Sequence, residues 1–577
     1  MASLLSRNNT LPKTKMKHTF EEIRQGCIEG IEEEIEAVIA NLARWGGDKP
    51  VEVVGAEIDS VDGEYTIYRV QVKREIIPPE NVGVEVSSGD KQIRGYVDSV
   101  VDPYTFYIAL ESAMTEAELR QGIISFDATY ILQAVKNRLA AIVPIDKTKS
   151  GLTALDRILG LEPAHVGSAY VENPALVERG LNESQLRAIA QCVGSNLCVV
   201  FGPPGTGKTR TLGGLVSTLA GPLGKRVLVT AHTNLALDTA MASVVDSVPQ
   251  EWVDQGKIVR SGKISKQFAH LGIGYDDIAK KSAPVRAAEL RVLRRELEER
   301  ANLLLSNVGS GRIAADLIRR GAKRRNREPS LRAWMADMER KIGLLRPKQR
   351  QEEEVQRLIA DYELFKRQVA QATREIEKGA RIVGATLSKL ALEPDTFDQF
   401  DAVVLDEASM AMLPQVMVAA LHSTDQVIVF GDPCQLPPVV QSRGPKATAW
   451  LRRNVYRQLE AEDPATTKPF VVMLEEQYRM RPEIREFVSE TFYAGRLRDA
   501  DVVKNRPTVS GPSVIFFDTS AIGATAEKSG DHSRVNPVHA EQVALMIDEL
   551  QRFGETDIAV VTPFANQAKL IRAALRE

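Results

Sequence analysis

Residues 202–209 read GPPGTGKT, a complete G-x-x-x-x-G-K-[ST] pattern, and the strand-like run LCVVF at 197–201 leads straight into it. In such a loop Gly202, Gly205 and Gly207 let backbone N–H groups close around phosphate oxygens, with Pro203, Pro204 and Thr206 completing the turn. Lys208 reaches the β and γ phosphates and the Thr209 hydroxyl ligates Mg²⁺. A helix starting near Lys208, with Arg210 in its first turn, points its positive end at the anion. A second segment, VVLDEA at 403–408, is an apolar strand ending in two acids. There Asp406 is suited to hold a Mg²⁺ that bridges β and γ phosphates, and Glu407 to orient and deprotonate an attacking water. A third strand, VIVF at 427–430, runs into GDPCQLPP, where the Gln435 amide is placed to sense a γ-phosphate. ATP with Mg²⁺ is the expected ligand.

These segments need a scaffold that aligns strand ends. From residue 180 onward, short apolar runs at 197–201, 226–230, 380–385, 402–405 and 426–430 alternate with helical stretches, the sequence form of a doubly wound parallel sheet. The 197 residues between Lys208 and Asp406 are far too many for one crossover. Within them, 280–378 has helical character. Leu290, Leu293, Leu297 and Leu304 make one seam, and Val355, Leu358, Tyr362, Phe365 and Val369 another. This predicts an inserted helical arm. Upstream, Ile23, Cys27, Ile31 and Ile35 mark a helix face. The Asp62–Gly63 hairpin signal and the alternating valines at 82–86 predict a small barrel at 50–112, and 115–144 reads as a returning helix.

At 577 residues the chain exceeds a single core, and no stretch approaches bilayer-spanning length, so no membrane partner is expected. Residues 1–20 lack the apolar block of a secretion signal and read as a frayed tail. The four cysteines contain no C-x-x-C pair, which suits buried thiols in a reducing, cytoplasmic setting. Net charge is only −3, but 280–378 holds 25 Lys+Arg against 15 Asp+Glu, a local +10 against −13 elsewhere. At its centre six cations fall within nine residues without an acid, Arg319, Arg320, Arg324 and Arg325 among them. Such a cluster fits either a solvated helix end or a phosphate contact, hence a nucleic-acid partner.

LNESQ at 181–185 lies upstream of the phosphate loop, and AHTN at 231–234, DEAS, GDPCQLPP and EQYRMRP at 476–482 follow it in order. Together they resemble the ordered motifs of superfamily 1B helicases, in the branch of the nonsense-mediated mRNA decay helicase, senataxin and the immunoglobulin-mu-binding helicase. The resemblance covers roughly 180–577. It implies a RecA-like P-loop NTPase motor of α/β class, with an N-terminal β-barrel on helical stalks and an inserted arm. On matching positions it implies that Gln185 reads the adenine edge and Tyr478 stacks on the base. It further implies that Arg479 acts as an arginine finger from a second domain, and that Thr233 and Asn234 touch the nucleic-acid backbone. The expected domains are a tail (1–20), a stalk helix (21–49), the barrel (50–112), and a second stalk helix with linker (113–179). A first RecA-like domain (180–279 and 379–442), the arm (280–378) and a partial second RecA-like domain (443–577) follow.

The chain departs from the family pattern near its end. The run 558–567 resembles a strand and turn of the second motor domain, but the Gln-Gly and Thr-Arg motifs expected after it are missing. This leads to the expectation of a fragment, a truncated product or a chain completed by a second polypeptide. The leading functional reading is an ATP-dependent helicase or translocase on single-stranded DNA or RNA, 5′-to-3′ by resemblance. Its alternatives are a nucleotide-gated nucleic-acid clamp with little turnover, and an ATP-driven regulator of a protein partner.

Overall fold

The computed structural model describes the chain except residues 1–8, 11–17, 43–46, 48, 63–64, 77, 79–81, 90, 111–113, 128, 143–149, 263, 276, 279–283, 308–330, 346–352, 394–395, 505–512, 530–532 and 576–577. It divides into two compact units, Met1–Arg506 and Pro507–Glu577.

Helix α1 (Phe20–Asn41) opens on a capping box in which Thr19 and Glu22 satisfy each other's backbone N–H groups. Its buried face carries Ile23, Cys27, Ile31 and Ile35, as the four-residue spacing predicts. Gly26 and Gly30 let it lie close on helix Pro445–Trp450, where a Cβ at Gly26 would stand 2.2 Å from Trp450 Nε1. Glu34, buried, accepts hydrogen bonds from the backbone N–H groups of Gln441 (2.8 Å) and Ser442 (2.7 Å), and Glu33 accepts one from Ala447 (2.8 Å).

Six antiparallel strands close a barrel: β1 (Val51–Asp62), β2 (Tyr65–Val72), β3 (Gly83–Ser88), β4 (Lys91–Asp102), β5 (Thr105–Leu110) and β6 (Ile123–Asp127), in the order β1-β2-β5-β4-β3-β6. The barrel therefore extends past the expected limit of 112. Residues 115–144 are not one helix, because β6 intervenes and closes the barrel against β1 and β3. The barrel shares one apolar core with the arm, whose described helices are Pro284–Asn307, Leu331–Leu345 and Glu353–Gly379. Trp334 is the centrepiece, its ring 5.0 Å from Phe365 and 6.3 Å from Tyr362, with its Nε1 donating to Glu298. The basic cluster at 319–325 lies outside the described residues.

Seven parallel strands form the central sheet: β7 (Leu197–Phe201), β8 (Val227–Ala231), β9 (Ile258–Arg260), β10 (Ile382–Thr386), β11 (Phe400–Asp406), β12 (Ser423–Gly431) and β13 (Val471–Met473). Their spatial order is β9-β10-β8-β11-β12-β7-β13. Apolar layers cover both faces, which explains the unbroken hydrophobic runs. β13 lies past the boundary expected at 443. Val471–Met473 pairs with Val199–Phe201 in this same sheet, and the chain stays in the first unit to Arg506.

The second unit contains a short hairpin (Glu527–Ser529 with Ser533–Val535) and helices Pro537–Arg552 and Ala565–Ala574, joined by reciprocal bonds between Asn536 and Gln567. The strand expected within 558–567 is not formed. The run finds no ladder partner among the described residues of this unit, and Val561 is 93% exposed.

Trp334→Ala should cost about 3–5 kcal/mol by emptying the arm–barrel core. Hydrogen exchange should then rise in β1–β6 while the amides of β7 stay protected.

Candidate active site

The phosphate-type loop is shaped by what closes on it. β7 is buried from end to end, and helix α3 (Lys208–Ala220) starts at Lys208 with Gly207 as its cap; α2 is the preceding helix Glu183–Gly194. Gly205 (φ 78°) and Gly207 (φ 77°) take left-handed conformations that a side chain would strain. A Cβ at Gly207 would lie 2.4 Å from Gln185 Nε2, and one at Gly205 would lie 2.6 Å from Arg479 Cβ. Thr206 Oγ1 donates to the Pro203 carbonyl (2.7 Å), and the Gly202 N–H donates to Gly431 O (2.9 Å). Pro204, Thr209 and Arg210 complete the loop and the first helical turn, with Arg210 exposed.

The acids face this loop because β11 lies one strand away from β7, across β12. Asp406 is buried at the end of β11, and its Oδ1 accepts the Glu407 N–H (3.0 Å). Glu407 has a left-handed backbone (φ 50°), a strain of about 1–3 kcal/mol. The Lys208 ammonium donates to Glu407 Oε1 and stands 3.7 Å from Asp406 Oδ1. Burial pushes the Asp406 carboxyl above its ordinary range, against the pull of Lys208 and with a contribution from the Glu407 charge. Beneath them lies the Tyr456 hydroxyl, fully buried and without a hydrogen-bond partner among the described residues. A Cβ at Gly431 would stand 2.6 Å from it, so glycine is required there for the close approach.

A third wall is built from 476–481. The Tyr478 N–H donates to Gly205 O (2.8 Å), its hydroxyl accepts from Asn182 Nδ2 (2.9 Å) and donates to Glu476 (3.1 Å). Gln185 is almost wholly buried. Its Nε2 donates to Thr206 O (3.0 Å) and its Oε1 accepts the Asn182 N–H (3.0 Å), so its amide braces the loop. Arg479 stacks its Cβ on Gly205 and belongs to the first compact unit, whereas a second domain beginning at 443 was expected to supply it. Gln435, expected at the γ-phosphate, has its Nε2 on Asp432 Oδ2 (2.7 Å).

Sequence reasoning missed Gln477. This buried amide accepts the N–H groups of Arg479 (2.8 Å) and Met480 (2.6 Å) and donates to Asp499 (2.6 Å), thereby fixing the turn that presents Tyr478 and Arg479. The signal was its place inside EQYRM, between residues with obvious chemistry.

Thr233 and Asn234 start helix α4 (Asn234–Val245), two and three residues past Ala231, which pairs with Asp406 in the sheet. Thr233 Oγ1 accepts the Ala236 N–H, and Asn234 Oδ1 accepts from Arg260 Nη2 (2.9 Å), itself paired with buried Asp238 (2.8 Å). Asn234 lines a cavity of about 80 Å³ with Tyr96 of the barrel, Tyr130, Arg260 and Lys389. Arg319, Arg320, Arg324 and Arg325 fall outside the described residues.

Residues 180–443 and, separately, 452–577 match AAA domain families. The chain is 27% identical over 416 residues to the DNA polymerase alpha-associated DNA helicase A of Schizosaccharomyces pombe, covering 69% of this chain and 54% of that protein. It is 26% identical over 422 residues to an uncharacterized ATP-dependent helicase of Methanocaldococcus jannaschii, covering 69% and 60%. Against the DNA-binding protein SMUBP-2 of Rattus norvegicus it is 27% identical over 474 residues, covering 78% and 42%. The chain thus carries matches to AAA domain families on both sides of residues 444–451 and is similar over most of that span to proteins named as helicases. It spans about half the length of the curated relatives it matches. Among the described residues no helix is long and apolar enough to cross a membrane.

The fit of a divalent cation to this site rests on the donor set. Asp406 offers a buried carboxylate and Thr209 a hydroxyl, and the Lys208 ammonium now supplies the positive charge beside the acids. A carboxyl held above its unfolded range costs folding free energy once ionised. That cost is absent at pH below the unfolded carboxylate range and is felt as pH rises through the raised value. Asp406→Asn should therefore raise the Tm of the chain alone at pH 8, with the gain vanishing toward pH 4. The same substitution should remove most of the Tm increase given by Mg²⁺ with ATP, both checked by thermal unfolding.

Proposed function

We propose that this chain hydrolyses ATP and couples that hydrolysis to movement along single-stranded DNA or RNA, in the 5′-to-3′ direction of the superfamily 1B branch. The observation that carries this reading is the Lys208 ammonium bridging Glu407 and Asp406 at the mouth of the glycine loop. An incoming triphosphate competes for Lys208. As Lys208 turns to the β and γ phosphates, Glu407 loses its cation and becomes a base for the attacking water. The water oxygen bonds to the γ phosphorus, its proton passes to Glu407, and the bond to the β-phosphate oxygen breaks to leave ADP and phosphate. Mg²⁺ held by Thr209 and Asp406 would neutralise charge across the β and γ phosphates. Arg479, already seated on Gly205, supplies a guanidinium toward the charge that develops on the transferring group. Tyr478, partly exposed beside Asn182, offers a face for the base. The nucleic-acid strand runs over the N-terminus of α4, where Thr233 and Asn234 meet backbone, and past the cavity in which Lys389 and the rings of Tyr96 and Tyr130 offer charge and stacking.

ATP turnover by this chain, measured with and without matched DNA and RNA oligonucleotides, tests the proposal. Glu407→Gln should lower kcat by about 10²–10⁴, and Arg479→Ala by about 10³–10⁵ with little change in ADP affinity. A Glu407→Gln chain that turns over at the unaltered rate removes that residue from the reaction. For the strand, Lys389→Ala should flatten the slope of log affinity against log salt by about 0.7–0.9, the loss of one phosphate contact. An unchanged slope places the strand elsewhere.

A further inference from the structure

The Gln435 loop is tied to a part of the chain that no motif assigns. Asp432 is fully buried, and its carboxylate gathers three donors. Oδ1 accepts the Cys434 N–H (3.0 Å), while Oδ2 accepts both Gln435 Nε2 (2.7 Å) and the Tyr493 hydroxyl (2.7 Å). Tyr493 caps the helix α5 (Pro482–Phe492), which follows directly on Tyr478 and Arg479. Its ring is buried edge-on against Phe201, the last residue before the glycine loop, with centroids 6.3 Å apart. A second clasp joins the same elements, the Cys434 thiol donating to the Phe492 carbonyl at 3.4 Å. Burial, then the bond to Asp432, hold the Tyr493 phenol protonated far above its ordinary range, so it remains a donor at any working pH.

We propose that Tyr493 is a positioning residue for γ-phosphate sensing: by donating to Asp432 it keeps that buried carboxylate satisfied when the Gln435 amide leaves it for the γ-phosphate. This rests on the ATPase reading above. The physics is a count of donors. With Tyr493 in place, release of Gln435 leaves Asp432 with two hydrogen bonds. Without the hydroxyl, release leaves a buried carboxylate with one, so Gln435 stays where it is. The ADP-bound site makes no demand on Gln435, so the hydroxyl matters only when a γ-phosphate is present. Because Tyr493 ends α5, the same exchange links loss of the γ-phosphate to the segment that carries Arg479.

The test is a cycle of affinities on the full 577-residue chain, for Mg²⁺ with ADP and with a non-hydrolysable imido analogue of ATP, in the unaltered protein, Tyr493→Phe, Gln435→Ala and the double variant. Tyr493→Phe keeps the ring against Phe201 and removes only the hydroxyl. It should bind ADP within about twofold of the unaltered chain and lose about tenfold of the preference for the analogue, the worth of one hydrogen bond to a charged group. In the Gln435→Ala background the same change should have no further effect. An unchanged preference in Tyr493→Phe, additive losses in the double variant, or equal loss of ADP and analogue each overturns the proposal. An unaltered chain that binds neither nucleotide overturns the ATPase reading itself.

Discussion

The Lys208 ammonium wedged between Glu407 and Asp406 is the interaction on which the site turns. Two unit charges at about 4 Å attract by roughly 4 kcal/mol at an effective dielectric near 20. The carboxyl at 406 is buried, so the ammonium cannot leave without a replacement cation or a heavy desolvation penalty. A ligand that draws Lys208 away must therefore bring its own positive charge, and a triphosphate carrying a divalent cation does both. The arrangement keeps Glu407 occupied as a hydrogen-bond acceptor of Lys208.

Much of the remaining fold fixes the distance between those charges. Lys208 follows β7 and Asp406 ends β11, so β12 between them is the spacer, held by the backbone ladders on either side. The exit from β12 is fastened in turn by α1, whose Glu33 and Glu34 side chains bind backbone N–H groups at 441–447 and whose glycines admit Trp450. A helix more than four hundred residues earlier in sequence thus clamps the connection that follows Gln435. Tyr456, buried under Gly431, fills the space where a shifted β12 would otherwise settle.

What could be read from sequence follows the range of the forces involved. The five sheet strands of five or more residues announce themselves by continuous apolar runs, and the glycine loop and acid pair by contiguous residue types. Val471–Met473 and Ile258–Arg260 are three residues long and gain their strand character from neighbours already in place, so local pattern carries little of them. That is why the first unit was expected to end at 442. The barrel's last strand hid behind the short helix Glu116–Arg120, which made 115–144 read as a single helix. In the site, Lys208, Asp406, Glu407 and the glycines were legible because their chemistry is written in order. Asp432, Gln477, Tyr456 and Tyr493 were not, since each acts through a partner brought near only by the tertiary fold.

One consequence concerns how the site communicates. The segment 476–499 is attached to the glycine loop by the Tyr478 N–H on Gly205 and to the Gln435 loop by Tyr493 on Asp432. Both attachments end on groups that a triphosphate must touch or displace. Between them the segment is stiffened by Gln477, by the paired Arg485 and Asp499, and by α5 itself, so it behaves as one lever and not as a string of independent contacts. The two attachments therefore tie the glycine loop and the Gln435 loop to one stiffened segment.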